Sequence, residues 1–423
     1  MRVLILGAGV TGVAAAWYLN QSGHEVTVLE RQAAAGMETS FANGGQISVS
    51  HAEPWANPHA PWQILKWLAR EDAPLLFRLR ADWQQWKWGL AFLRECTPAR
   101  TRHNIAQLVN LGLYSRAALQ TLRAQTGLQY EQITRGILHF YTSAVAWEHA
   151  QQAAEVMRSY GCDLRSVDAA GCVTIEPALA PVRHLIAGAT MSASDESGDA
   201  HKFTQGLAAR CARAGVRMRH GVTIEALATL GSGAARRIDG VRIRNAAGAS
   251  EIVNADAYVL CLGAYSPLLV RPLGMDLNIY PAKGYSVTMP VADAAKAPTV
   301  SLTDDEYKLV FSRLGERLRI AGTAELNGYN TELHAGRCNA ILKRALALFP
   351  GAGDASRAQF WTGLRPSTPS NLPYIGASRI ANLYLNTGHG TLGWTHACGS
   401  GQAIADIVSG RKPEVDFSFC TTA

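Results

Sequence analysis

The sequence predicts an α/β protein in which a domain built on a parallel sheet wrapped by helices is interleaved with an α+β domain built on an antiparallel or mixed sheet. Three observations lead there. A glycine-rich strand-turn-helix-strand unit opens the chain, an apolar strand of the same kind returns at Ala257 to Leu262, and short strands at hairpin spacing follow it. With 423 residues the chain exceeds what one hydrophobic core supports, so two domains are the expectation.

The opening unit runs Val3-Leu4-Ile5-Leu6, then Gly7-Ala8-Gly9-Val10-Thr11-Gly12, an Ala-rich helix from Val13 to Ser22 stopped at Gly23, and a strand from His24 to Leu29 closed by Glu30. This order is that of a Rossmann-like dinucleotide site. Gly7 permits the tight turn, Gly9 lets backbone approach a pyrophosphate, and Gly12 lets helix and strand pack closely. Val10 and Thr11 sit at the helix N-terminus, where unpaired N–H groups and the dipole favour phosphate. Glu30 can accept hydrogen bonds from both ribose hydroxyls of the adenosine half, with Arg31 beside it. A carboxylate there disfavours a 2′-phosphate and hence NADP.

After the second strand comes a polar, glycine-bearing loop, Thr39-Ser40-Phe41-Ala42-Asn43-Gly44-Gly45-Gln46, placed for the central region of the cofactor. Helical patterns then cover Trp62 to Leu68, Pro74 to Leu93 and Thr101 to Gln125, which no simple α/β repeat contains. A strand is expected near Gly136 to Thr142, a helix at Ala146 to Tyr160, and another from Asp199 or Ala200 to Ala214, stopped by Gly215. Short strands at Val216 to Arg219, Gly240 to Arg244 and Glu251 to Asn254 lead to the buried strand Ala257 to Leu262 and Gly263, returning the chain to the nucleotide domain. Leu277 to Ala324 reads as a separate antiparallel sheet, Glu332 to Leu348 as a helix, and Trp394 to Val408 as an apolar helix after a glycine turn. The expected division is 1–50, 198–268 and 358–423 for the nucleotide domain, and 51–197 and 269–357 for the substrate domain.

Bulk composition is that of a globular protein, 48% hydrophobic and 17% charged, with a net charge of +7. That charge admits anionic small molecules, nucleic acid or an anionic membrane surface, but no polybasic run or nucleic-acid module is present. The eight cysteines include no C-x-x-C pair and no metal-ligand spacing, so no metal is expected and reduced core thiols in a cytoplasmic protein are. The first strand begins at once, leaving no room for a cleaved signal, and Val3 to Leu19 is too short and too glycine-broken to span a bilayer.

A nicotinamide enzyme usually continues with several βα units; here a long insertion follows the second strand instead, and distant segments return, as they do around FAD. The turn Gly388-His389-Gly390-Thr391-Leu392-Gly393 before the last helix can offer backbone donors to negative charge developing on a flavin. Together with Glu38 to Ser48, Lys283 to Ser286, Gly363 to Pro369 (GLRPSTP) and Asn386 to Thr395 (NTGHGTLGWT), the fingerprint makes nearly the whole chain resemble the FAD-dependent D-amino-acid dehydrogenases, within the D-amino-acid oxidase family. The resemblance implies two domains, non-covalent FAD, and oxidative deamination of D-amino acids to 2-oxo acids and ammonia, with electrons passed to a quinone or respiratory carrier. One departure is Ser370-Asn371-Leu372-Pro373, where bacterial members tend to carry an Asp-Gly turn, which leaves D-proline, hydroxyproline or another secondary amine open as substrate.

Flavin oxidation of an amino acid, with the Cα hydrogen leaving as hydride, demands positioning more than acid-base groups. The resemblance places the substrate carboxylate on Arg365, whose guanidinium can hold it through two parallel hydrogen bonds. Tyr307 can add a phenolic donor or be a packed aromatic; Lys283 and Tyr285 can approach flavin or substrate, or Lys283 can be a solvated turn residue. Gly363 and His389 are expected to shape the flavin pocket, and nothing in its spacing makes His51 a base.

Trp62, Trp67, Trp83, Trp86 and Trp88, interleaved with Lys66, Arg70, Arg78, Arg80, Lys87 and Arg94, form the most aromatic and basic helical stretch. It can pack a domain or an oligomer interface, or rest peripherally on the inner face of a membrane. An oxygen-using oxidase of glycine, sarcosine or D-proline, and a non-catalytic dinucleotide-binding protein, are the rival readings.

Overall fold

The computed structural model describes residues 1–67 and 73–420. The nucleotide sheet has six strands in the order Tyr374–Ala377, Leu383–Thr387, Ala257–Leu260, Arg2–Leu6, Glu25–Leu29 and Arg217–Arg219. All pairs are parallel except the outermost, Tyr374–Ala377 on Leu383–Thr387. The first strand lies between Ala257–Leu260 and Glu25–Leu29, so its C-terminal end opens at a topological switch point, where α/β sheets bind ligands.

The helix Val10–Gln21 covers this sheet, with Val13, Ala14, Ala15, Ala16 and Leu19 buried. Its small residues let the Gly393–Val408 helix approach so closely that a Cβ on Gly401 would meet the Ala14 backbone at 2.8 Å. A third helix, Pro98–Thr126, caps with Thr97, starts on proline and ends at Gly127 in the left-handed conformation. Leu111, Leu119 and Leu122 from it join the core of the nucleotide unit, although they fall in the segment expected for the substrate domain.

The second sheet runs Gln359–Ser367, Tyr280–Pro290, Arg317–Leu326, Leu309–Leu314, Ser301–Asp304, Ile137–Tyr141, Gly188–Ser192 and Arg165–Val167, with Leu75–Phe77 paired to the Arg317–Leu326 strand. It is mixed: Ser301–Asp304 runs parallel to Ile137–Tyr141 and most other neighbours are antiparallel. Gln359–Ser367 pairs along its whole length with Tyr280–Pro290, so the strand carrying Arg365 belongs to this sheet and the boundary expected at 358 moves past it. A helix from Pro74 to Leu93 does not form. Leu75–Phe77 takes a strand pairing, and a helix starts at Trp83, where Asp82 accepts a hydrogen bond from the Gln84 amide. The strand Thr223–Leu230, which the sequence reading did not assign, completes an antiparallel three-stranded sheet with Arg237–Arg244 and Ser250–Val253.

Candidate active site

A cavity of about 620 Å³ lies between the two sheets, within the ~300–1,000 Å³ usual for ligand sites. Every residue expected to bind the cofactor lines it except Gly12 and Gly388. Gly12 works from behind, since a Cβ there would stand 2.0 Å from the Gly7 carbonyl oxygen. Gly388 takes φ 82°, a left-handed conformation needed by the turn rather than by a ligand.

The nucleotide side is made largely of backbone. Gly7 turns at φ 104°, where a side chain would strike the Cys261 carbonyl at 2.7 Å, whereas the space beside Gly9 is open, its nearest neighbour being Ser40 Oγ at 3.7 Å. Val10 N–H donates to Ser40 Oγ at 3.0 Å. Glu30 accepts from the Ala8 amide at 2.8 Å and from the Gln32 amide at 2.9 Å, which locks the glycine turn to the end of the second strand. Arg31 pairs with Glu38 and lies over the Tyr265 ring, 4.1 Å from its centre. The following loop is tied to the second sheet: Thr39 Oγ1 donates to the Leu364 carbonyl at 2.9 Å, and Gln46 Nε2 donates to Ser301 Oγ at 3.0 Å. Asn43 accepts from the Gly45 amide, and Gly44 leaves no room for a side chain, with Val310 2.3 Å from where its Cβ would be.

These residues fit an FAD. The cradle beside Gly9 would be filled by any Cβ, the Val10 helix starts there, and Gly390 to Gly393 open the last helix on the same cavity. His389 Nε2 and Trp394 Nε1 are buried with no hydrogen-bond partner among the described residues. Burial holds the His389 imidazole neutral, with its pKa pushed down to about 3.

The substrate side is made of side chains. Arg365 lines the cavity, with Nη1 donating to the Thr323 carbonyl at 2.8 Å, and among the described residues no carboxylate pairs with it. Burial lowers its pKa to about 10, so at neutral pH it remains a cation. Its guanidinium lies on Gly284, where a Cβ would come within 2.3 Å of Nη1, which explains the glycine inside that strand.

Strand alternation decides the other candidates. Gly284 faces the cavity, so Lys283 and Tyr285 point to the opposite face of the sheet. Lys283 is buried there, 3.3 Å from Glu325 and bonded to Asn330, and is not a solvated turn residue. Tyr285 borders the cavity, yet its hydroxyl donates to Glu325. Tyr307 does not line the cavity. Its ring is 44% exposed, beneath the Arg344 guanidinium at 4.0 Å, because Lys308 takes φ 52° and turns itself and Asp305 inward instead.

The sequence reading passed over Asp305, Lys308, His139 and Glu53 and found no role for His51, and all five line the cavity. Lys308 Nζ donates to Asp305 Oδ1 at 2.8 Å. The His51 and His139 rings stack 5.7 Å apart, and His139 Nε2 shares a 2.9 Å bond with Ser50 Oγ. Burial, helped by the neighbouring His51, pushes the His139 pKa down to about 3. No local signal marked them: Asp305 to Lys308 form the turn between two strands, where strand alternation does not fix which side chain faces inward.

Fold and site together define a flavin-dependent oxidoreductase. The family model described as DAO, FAD dependent oxidoreductase, matches residues 2–407, and the chain belongs to that family; its cofactor is FAD. Full-length relatives carry a narrower description. The chain is 59% identical over 419 residues to a D-amino acid dehydrogenase of Dechloromonas aromatica, covering 99% of both chains, and 53% identical over 416 residues to one of Paramagnetospirillum magneticum, covering 98% and 96%. Among solved structures it resembles glycine oxidase from Geobacillus kaustophilus, with a TM-score of 0.74, 22% identity, and 98% and 96% coverage. L-proline dehydrogenase from P. horikoshii gives 0.75 at 15% identity, covering 98% and 95%. At these identities the two structures show the fold.

Proposed function

We propose that the chain oxidises D-amino acids to 2-oxo acids and ammonia, passing electrons onward to a quinone or another respiratory carrier. The observation that carries this reading is the unpaired Arg365 guanidinium on the cavity wall, and the full-length D-amino acid dehydrogenase relatives support it. FAD, when bound, supplies a two-electron acceptor for the Cα–H bond. The residues of the chain do the rest. Arg365 clamps the carboxylate through two charge-assisted bonds, Gly284 leaves it the space to lie flat, and the sheet behind both holds Cα at a fixed height in the cavity. Water then hydrolyses the imine product, releasing ammonia. Gly7, Gly9, Val10 and Thr11 would hold the pyrophosphate, Glu30 the ribose, and Gly390 to Gly393 the flavin end.

The test is anaerobic absorbance of the purified yellow protein under a panel of D- and L-amino acids. Bleaching by D-isomers alone, with no hydrogen peroxide formed in step with substrate loss in air, is expected. Bleaching by L-isomers refutes the stereochemistry, and stoichiometric peroxide refutes the carrier.

The carrier motivates a membrane contact, and the exposed face of two helices supports it. Trp62 and Leu65 in the Ala60–Trp67 helix and Trp83, Trp86, Leu90 and Leu93 in the Trp83–Glu95 helix are exposed, with the basic residues Lys66 and Arg94 beside them. Trp88 is buried, donating to the Ser367 carbonyl, and Trp67 lines the cavity; Arg70 lies outside the described residues. No described helix is long and apolar enough to cross a membrane. Sedimentation with anionic vesicles, lost on replacing Trp62, Trp83 and Trp86 by serine, is the expected result; equal sedimentation of the variant removes this face from consideration.

A further inference from the structure

We propose that Lys308, Asp305 and Glu53 form a second pole of the substrate cavity, which receives the end of the substrate side chain and selects D-amino acids bearing an uncharged amide. The inference rests on the clamp at Arg365 and deepens it, from carboxylate recognition to side-chain choice.

The spacing comes from the sheet. The Arg365 guanidinium lies over Gly284 and bonds to Thr323 on the Arg317–Leu326 strand. Asp305 follows the Ser301–Asp304 strand, which is two strands further across. Neighbouring strands lie about 4.8 Å apart, so the pole stands roughly 10 Å from the clamp. With the carboxylate held at one end, a side chain of the length of glutamine or methionine reaches the other, and the methyl of alanine does not.

The chemistry comes from what is left unbonded. Lys308 Nζ has three donors, of which Asp305 Oδ1 takes one. Glu53 Oε1 accepts from Asn57 Nδ2 at 3.3 Å, and among the described residues Glu53 has no other hydrogen-bond partner. The stacked His51 and His139 add no charge, since burial lowers both pKa values. Lys308 and Asp305 cancel one another, and desolvation pushes the Glu53 carboxyl up to about 7, so at neutral pH it offers both a protonated and an ionised form to a side chain and only part of a negative charge. A terminal amide fits both free groups, its oxygen accepting from Lys308 and its NH₂ donating to Glu53. An apolar chain of equal length would cover the remaining donors and acceptor of these groups without bonding them, the situation that makes polar sites reject analogues lacking the partner.

The experiment uses FAD-loaded enzyme and compares kcat/KM for D-glutamine and D-methionine, which match in length. In the wild type D-glutamine is expected to lead by about tenfold or more, and also to exceed D-lysine and D-glutamate. Lys308→Met and Glu53→Leu should each move the glutamine-to-methionine ratio about tenfold toward methionine; because the ratio is taken within one enzyme, partial loss of folded protein does not affect it. A wild-type ratio near one, a ratio unmoved in both variants, or a lead for D-lysine or D-glutamate overturns the assignment. Failure of the underlying clamp looks different: no D-amino acid, alanine included, would bleach the flavin.

Discussion

On the nucleotide side of the cavity the contacts come from backbone: Gly7, Gly9 and the starts of two helices face the space, and side chains such as Glu30 and Ser40 are already engaged with that backbone. On the substrate side they come from charged side chains on the second sheet, with Arg365, Lys308 and Asp305 supplied by different strands or turns. A backbone wall needs a run of consecutive residues with small or absent side chains. A side-chain wall needs only the right register between strands that are distant in sequence. The first is therefore sensitive to added atoms and tolerant of removed ones; the second is sensitive to removed ones, and to added ones where a side chain lies on a glycine, as Arg365 does on Gly284.

The largest expected effect adds atoms to the backbone wall. Gly9→Val should give protein that folds but carries no FAD, because the branched side chain would stand in the open space beside the helix start. Absorbance of the purified variant checks this, and a normal flavin spectrum would break the comparison. Next comes the substrate side. Arg365→Ala should lower kcat/KM for D-amino acids by roughly 10²–10⁴-fold, the loss of two charge-assisted bonds of ~1.5–3 kcal/mol each, with FAD retained. Gly284→Ala should approach the same result without touching the arginine, since the new methyl would displace its guanidinium.

What was legible in the sequence divides along the same line. The fingerprint, Glu30, the Thr39–Gln46 loop and the Gly388–Gly393 turn are contiguous, and each could be placed from its neighbours alone. Arg365 came from a family motif, not from local pattern. Lys283 and Tyr307 were misplaced because orientation depends on strand parity and on the left-handed Lys308, which no local reading supplies. Pro74 to Leu93 failed for a related reason: Leu75–Phe77 follows a pairing with residues 324–326, far along the chain.

A smaller effect concerns the layer beneath the substrate side. Glu325 is buried against Lys283 and the Tyr285 hydroxyl; burial alone would raise its pKa, but these partners bring it below the usual glutamate value. Its stabilising contribution is therefore complete above the unfolded pKa and fades as pH falls through the lower, folded one. Glu325→Gln should cost about 3 kcal/mol at pH 7 by leaving Lys283 buried without its counter-charge, and should flatten the fall of Tm on acidification. Thermal melts from pH 7 to pH 4 check both, and parallel curves for variant and wild type would contradict the pairing. The smallest effect removes atoms from the backbone wall: Ser40→Ala deletes the bond to the Val10 amide and should weaken FAD binding by only ~0.5–2 kcal/mol, read as a modest rise in Kd.

The most direct test is anaerobic stopped-flow reduction of FAD-loaded wild type and Arg365→Ala across a range of D-alanine concentrations. If the guanidinium is the clamp, wild-type bleaching saturates while the variant bleaches far more slowly and in linear proportion to substrate. Saturation of both at the same concentration would show that the carboxylate is held elsewhere.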